Sequence, residues 1–423
     1  MKKERTTEIP KISNQEVGTD SLGAGAKQSA KKSQSPDRIW LSPPHMSGRE
    51  QGYIQKAFES NWLAPLGPNV DLFESKIMEV TGAEQVAAFN SGTSAIHLAL
   101  QVLGVGPGDF VLCQSLTFAA SANPVVYLGA TPVFVDSERD TWNMDPDQLE
   151  QAILRCMDDR LVATQNGDVI PTRKPKAIIP VHIYGMPAKM DQLIAISHKY
   201  GIPIIEDAAE ALGSSYKGQQ CGTFGDIGVI SFNGNKIITT TAGGAMLSNN
   251  KQWIDHAKHL GTQAREDYPY YQHVEIGYNY RLSNVLAGMG CGQIEVLGDR
   301  IASRRSNFDY YRLHLGNIPG VSFQMEESGT LSNRWLTCIL LDPTKISVSA
   351  DELRGVLAEN NIESRPLWKP MHLQPVYSFA PYFGNGVSEE LFARGLCLPS
   401  GSDLTEAQLH RIVGIIRNAL GAK

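Results

Sequence analysis

No stretch of this 423-residue chain approaches 18 consecutive apolar residues, which excludes a transmembrane helix. Cysteine is sparse: Cys113, Cys156, Cys221, Cys291, Cys338 and Cys397 are scattered, with no CxxC pair. Most sit in apolar runs such as "DFVLCQ" and "LTCILL", so they read as reduced, buried thiols of a cytoplasmic protein, and neither a disulfide framework nor a zinc site is indicated. Basic charge is not in excess either. With 38 Lys+Arg against 44 Asp+Glu the net charge is -6, which argues against nucleic acid as a partner. The glycines of "GTFGDIG" and "AGMGCG" do not form a GxGxxG fingerprint between a strand and a helix, so nicotinamide binding is not supported. The first 37 residues lack the apolar core of a signal peptide, and their Ser, Lys, Gly, Ala and Gln predict an unstructured tail. In "DHAKH", His256 and His259 stand beside Asp255 at helical spacing, but on so polar a helix they read as a solvated face, and no metal is expected.

What is present is a long alternation of strand and helix signals. Ser47 and Glu50 have capping-box spacing before a helical repeat of Tyr53, Ile54, Ala57 and Phe58. Short strands follow in "EQVAAF", "DFVLCQ", "TPVFVD", "KAIIPVHIY", "IPIIED", "DIGVISF" and "GAMLSNN", with helices in "SAIHLALQVLG" and "MDQLIAISHKYG". This grammar predicts a large α/β domain over 38–298 with a mostly parallel sheet. From 299 to 423 strands in "VSFQ" and "RWLTCILL" mix with helices opened by Ser349/Glu352 and Thr405/Gln408, which predicts a smaller α+β domain. The polar stretch "RCMDDRLVATQNGDVIPTRKPK" reads as a surface loop.

Three motifs carry chemistry. "FNSGTSAIHLAL" takes a strand into a helix through small hydroxyl residues, and the free N–H groups at such a helix start suit a phosphate. "IPIIEDAAEALG" ends an apolar strand on Glu206 and Asp207, where open α/β sheets bind ligands. "SFNGNKIITTTAGGAML" puts Lys236 beside an apolar run, where a desolvated amine attacks a carbonyl and forms a Schiff base. Taken singly, each has a plainer explanation: helix capping for the first two, and for the third a lysine stem covering apolar surface. Together they supply what pyridoxal phosphate requires: a phosphate anchor, an anion for the ring nitrogen and an amine for the aldehyde.

With "NWLAPLGPNVDLFE", "LTFAASANPVVYLGATPVFVD", "PVHIYG", "GYNYRLSN" and "SRPLWKPMHLQPVY" added, the chain from about residue 38 onward resembles the DegT/DnrJ/EryC1/StrS sugar aminotransferases. The resemblance implies the fold-type I, aspartate aminotransferase-like architecture. It assigns Lys236 as the lysine bonded to the cofactor and Asp207 as the partner of its ring nitrogen. Phe118 is implied to stack on the ring, while Gly92, Thr93, Ser94 and Ser231 hold the phosphate and Glu210 lies near the cofactor. Asn279 is implied to reach the phosphate from the neighbouring subunit, which makes the expected state a homodimer with shared active sites. Retention of lysine, where some relatives carry histidine and dehydrate, points to transamination.

"NWLAPLG" and "SRPLWKPMHLQP" resemble most the members that aminate C4 of a UDP-linked 2-acetamido-2,6-dideoxy-4-keto-hexose on bacillosamine-type routes. On that resemblance Asn61, Trp62, Leu63, Ala64 and Pro65 line the sugar end. Trp368 stacks on a ring, and Arg365 and Lys369 meet the diphosphate. His182 and His372 are sugar contacts or structural hydrogen-bonding groups, and Arg281 receives the carboxylate of the donor, L-glutamate. The alternatives are a GDP- or dTDP-linked keto-sugar, or a regulator that binds cofactor or sugar nucleotide without turnover.

Overall fold

The computed structural model describes residues 38–158 and 161–422; the tail expected over 1–37 lies outside the described residues. Seven strands predicted from the sequence form the heart of the large domain: β1 (Gln85–Phe89), β2 (Phe110–Gln114), β3 (Thr131–Val135), β4 (Ala177–Ile179), β5 (Ile205–Asp207), β6 (Ile227–Ser231) and β7 (Gly244–Ser248). Their ladders run β1-β7-β6-β5 and β3-β2-β4. Bridges Ile178↔Ile204 and Val181↔Asp207 join the two halves between β4 and β5. Pairing is parallel throughout except at β7, which runs antiparallel to both β1 and β6. The connection from β6 to β7 carries Lys236 and no helix, so it lacks the crossover a parallel neighbour needs.

Helix α1 (Gly92–Val102) starts where β1 ends. Ser91 caps it by accepting from the Ser94 N–H at 3.0 Å, and Ala95, Ile96, Leu98, Ala99 and Leu100 are all buried against the sheet. At Gly244 in β7 a Cβ atom would collide with the backbone of Ser91 and Gly92. Only glycine lets β7 pass this close to the helix start.

A second core cluster takes Tyr311 and Leu315 from the end of α2 (Leu297–Leu315), whereas Leu297 at its start packs with the first core. Strands β8 (Val321–Phe323), β9 (Thr337–Leu341), β10 (Arg365–Pro366) and β12 (Gly395–Leu398) form an antiparallel sheet in the order β8-β9-β12-β10. Helices α3 (Ala350–Glu359) and α4 (Glu406–Ala419) cover it, and both open on the capping boxes read from the sequence, Ser349/Glu352 and Thr405/Gln408.

Two segments cross the expected boundary. Ile39 bridges Ile362 and is buried with the C-terminal core, while β11 (Tyr382–Phe383) extends the large sheet beside β3. The stretch read as a loop after residue 155 contains a hairpin, Leu161–Ala163 paired with Val169–Pro171. Its Asn166-Gly167 turn, with φ of 87° at Gly167, is a hairpin signal outweighed in the sequence by polar surroundings. Among the described residues, no helix is long and apolar enough to cross a membrane.

Candidate active site

The three motifs meet in one cavity of about 970 Å³, lined by Ser91, Gly92, Thr93, Phe118, Asp207, Glu210, Ser231 and Lys236 among others. Ser91 and the first residues of α1 lie against the end of β6. A Cβ at Gly92 would stand 3.2 Å from Ser231 Cβ, so the missing side chain keeps the helix N–H groups and the Ser231 hydroxyl together. Ser94 is turned elsewhere: its hydroxyl donates to Asn90 Oδ1 at 2.6 Å and completes the cap, so it is not part of the cavity wall.

Successive residues of a strand point to opposite faces, and β5 uses this to separate its two acids. Asp207 faces the cavity, where Oδ2 accepts from Ser121 Oγ at 2.6 Å and Oδ1 accepts from Ala209 N–H at 3.1 Å. Glu206 points the other way and is fully buried. It accepts from Phe224 N–H at 2.8 Å, Gly225 N–H at 3.0 Å and the His182 ring at 2.6 Å. Ala188 N–H donates to His182 Nδ1 at 2.9 Å, which puts the ring proton on Nε2, facing Glu206. His182 is therefore a buried strut and not a sugar contact. The same bonding leaves His182, Glu206 and Cys221, though within 4.8 Å of one another, short of free ligand atoms: His182 Nδ1 and both Glu206 oxygens already accept from N–H donors, and His182 Nε2 carries the proton it donates to Glu206.

Lys236 leaves the turn after β6, with its N–H donating to Asn233 carbonyl at 3.0 Å. The Asn235 carbonyl accepts from Trp335 Nε1 at 2.8 Å and Ser42 Oγ at 2.9 Å, which ties the turn to the C-terminal part of the chain. The Lys236 side chain is 12% exposed. Its Nζ lies 3.0 Å from Glu210 Oε1 and 4.3 Å from the centre of the Trp335 ring. Glu210 Oε2 accepts from Tyr184 N–H at 2.8 Å. Burial pushes the Glu210 carboxyl up to about 7, against the opposing pull of the Lys236 ammonium.

The folded protein thus holds the Glu210 proton to a higher pH than the unfolded chain does. The resulting stability is full below the ordinary carboxylate value and is lost as pH rises through about 7. In cofactor-free protein, wild type is expected to lose up to about 3 kcal/mol relative to Glu210→Gln between pH 4.5 and 7.5. Urea unfolding of both proteins across that range checks it, and parallel profiles would refute it.

Phe118 stands on the cavity wall, 5.6 Å from the ring of Trp368, which in turn lies 5.3 Å from Tyr184. The Tyr184 hydroxyl accepts from the Trp368 backbone N–H at 2.9 Å and anchors the chain that carries that indole. Arg365 and Lys369 line the cavity and are exposed, so they form its rim; Arg365 pairs with Glu363 at 2.8 Å.

Several expected site residues lie elsewhere. Asn61, Trp62, Leu63, Ala64 and Pro65 do not line the cavity; Asn284 holds that segment through Trp62 carbonyl at 2.8 Å and Ala64 carbonyl at 3.0 Å. The Arg281 side chain is 7% exposed and its Nη2 pairs with Glu74 at 2.9 Å, an acid that also takes Lys258 at 2.7 Å, so that face of the guanidinium is engaged within this chain while Nη1 has no partner among the described residues. His372 stacks on Tyr382 with centroids 3.7 Å apart and bonds Ser115 Oγ at 2.7 Å, which makes it packing and not a sugar contact. Asn279 is exposed and outside the cavity of its own chain. Conversely, Ser121, Tyr184 and Trp335 belong to the site or its support and carried no spacing signal; only the folded chain brings them there.

A helix start for a phosphate, a buried carboxylate and a shielded primary amine in one cavity are the donor set that pyridoxal phosphate needs, and the fold is that of the fold-type I pyridoxal phosphate-dependent transferases. Residues 44–417 match the family model for the DegT/DnrJ/EryC1/StrS aminotransferases, and the chain belongs to that family. It is 51% identical over 383 residues to EpsN of Bacillus subtilis (strain 168), a protein named for pyridoxal phosphate-dependent aminotransferase activity, covering 90% of this chain and 95% of that one. It is 37% identical to the GDP-perosamine synthase of Escherichia coli O157:H7, covering 86% and 94% of the two chains. A crystal structure of a DegT DnrJ EryC1 StrS aminotransferase from Brucella abortus superposes with a TM-score of 0.81 at 33% identity, over 88% of this chain and 96% of that one. The protein is a pyridoxal phosphate-dependent aminotransferase.

Proposed function

We propose that this enzyme moves the amino group of L-glutamate to the C4 keto carbon of a nucleotide-linked 4-keto-6-deoxy sugar, UDP-2-acetamido-2,6-dideoxy-4-keto-hexose. The observation that carries the reading is a single cavity with buried Asp207 and Glu210 and the 12%-exposed Lys236 on its floor, and exposed Arg365 and Lys369 at its rim. That gradient suits a substrate whose reacting carbon goes deep while its diphosphate stays at the surface.

When bound, pyridoxal phosphate supplies an aldehyde for the amino group and a ring that draws off the charge of deprotonation. The N–H groups of Gly92 and Thr93, with the Ser231 hydroxyl, hold the phosphate. Asp207 keeps the proton on the ring nitrogen, and Phe118 covers the ring. Lys236 Nζ takes the proton from the α-carbon of glutamate and, in the second half-reaction, works in reverse at C4 of the sugar. Glu210 steadies the Lys236 ammonium between these transfers. The working form is a cytoplasmic homodimer in which the exposed Asn279 serves the neighbouring active site.

A second reading, a GDP-linked keto-sugar as acceptor, is favoured by the 37% identity to a GDP-perosamine synthase. One titration separates the two. The visible absorbance of the cofactor-loaded enzyme is expected to fall with L-glutamate and to return on adding the UDP-linked 4-keto sugar. Return only with a GDP- or dTDP-linked sugar changes the acceptor. No response to glutamate and to every nucleotide sugar refutes the enzyme reading.

A further inference from the structure

The rim of the cavity holds a residue with no role so far. Trp40 lines the cavity and is 52% exposed, although the chain around it is firmly held. Ile39 N–H donates to the Asn361 carbonyl at 3.0 Å, and the Ile39 carbonyl accepts from Glu363 N–H at 2.8 Å. Leu41 N–H donates to Glu363 Oε2 at 3.1 Å, and the Leu41 carbonyl accepts from Ser400 N–H at 2.7 Å. Extended backbone alternates its side chains, so burying Ile39 turns Trp40 outward to the rim. Pro43 and Pro44, also on the cavity wall, restrict the segment further.

An exposed indole on a cavity wall offers a ligand a flat apolar face. Its neighbours indicate which ligand. The Arg38 guanidinium lies 4.5 Å over the ring, and Arg365 and Lys369 share the rim. Lys369 has no ion-pair partner among the described residues. A flat apolar surface flanked by cations matches a base joined to a diphosphate, with the base on the indole and the phosphates at the cations. The floor is taken by the groups that act on the cofactor and the reacting carbon, which leaves the rim for the far end of the substrate.

We propose that Trp40 is the stacking surface for the nucleotide base of the substrate. This rests on the nucleotide-sugar reading above. Because the backbone on both sides is pinned, the ring is ordered before the ligand arrives, and stacking carries little additional ordering cost. Stacking is tolerant of base identity, so Trp40 supplies affinity for the nucleotide end and leaves the choice of base to other contacts.

The test uses cofactor-loaded full-length enzyme with UDP, GDP and dTDP as probes in equilibrium dialysis. Trp40→Ala is expected to weaken binding of the preferred diphosphate about tenfold, while Trp40→Phe stays within about twofold of wild type. The rate of the glutamate half-reaction, followed by absorbance, stays unchanged in both variants, because the donor does not reach the rim. If Trp40→Ala binds as tightly as wild type while wild type binds a diphosphate, the stacking role is wrong and the nucleotide-sugar reading stands. If wild type binds none of the three diphosphates, the nucleotide-sugar reading falls and the stacking role with it.

Discussion

Replacing Lys236 with alanine is expected to lower amino transfer by about four orders of magnitude, the upper range for loss of a general acid–base group. Two functions go together in that change: the covalent hold on the cofactor and the proton shuttle. The visible absorbance of the lysine-bound cofactor is expected to vanish, even if cofactor still enters the cavity through the helix start and Asp207. The variant is expected to fold. Removing one member of a buried ion pair ordinarily strands a charge, but burial already pushes the Glu210 carboxyl up to about 7, so it takes a proton and remains neutral. Absorbance spectra, stopped-flow rates with L-glutamate and a melting curve on the same preparation check all three statements. A variant that keeps the visible band would show that another amine carries the cofactor.

The second large effect concerns Asp207. Asp207→Asn preserves shape and still offers Ser121 Oγ an acceptor where the carboxylate now accepts at 2.6 Å, but it removes the negative charge. That charge sits in a buried position, 4% exposed, where electrostatic stabilisation is strong. The rate of the glutamate half-reaction is expected to fall about 10²- to 10³-fold, the size seen when one preorganised electrostatic contact is lost. Cofactor binding is expected to weaken far less, because Lys236 and the phosphate cradle remain. Single-turnover absorbance measurements separate the two effects. A half-reaction at the wild-type rate would remove Asp207 from the chemistry.

The site was legible in the sequence where chemistry follows local order. Ser91 with the helix after it, Asp207 at a strand end and Lys236 in its turn are each set by a short stretch of chain. The large sheet brings them together because β1, β5 and β6 end on the same side. The residues left open in the sequence, or placed elsewhere by it, are those whose meaning depends on a distant partner. His182 and His372 belong to motifs that suggest sugar contacts, yet Glu206 and Ser115 claim their ring nitrogens. Arg281 suits a carboxylate, and Glu74, more than two hundred positions away in the chain, supplies one internally.

The sequence by itself determined the order of strands and helices, the caps at Ser349 and Thr405, and the family through its run of motifs. Periodicity, capping and turn chemistry act over a few residues, so they can be read from the chain. Only the tertiary structure decided that β7 runs antiparallel and that Tyr382–Phe383 returns to the large sheet. It alone set Glu210 against Lys236 and put Trp40 at the rim. Those outcomes depend on burial and on contacts between residues far apart in the chain, where desolvation and hydrogen-bond partners, and not local propensity, set what each side chain can do.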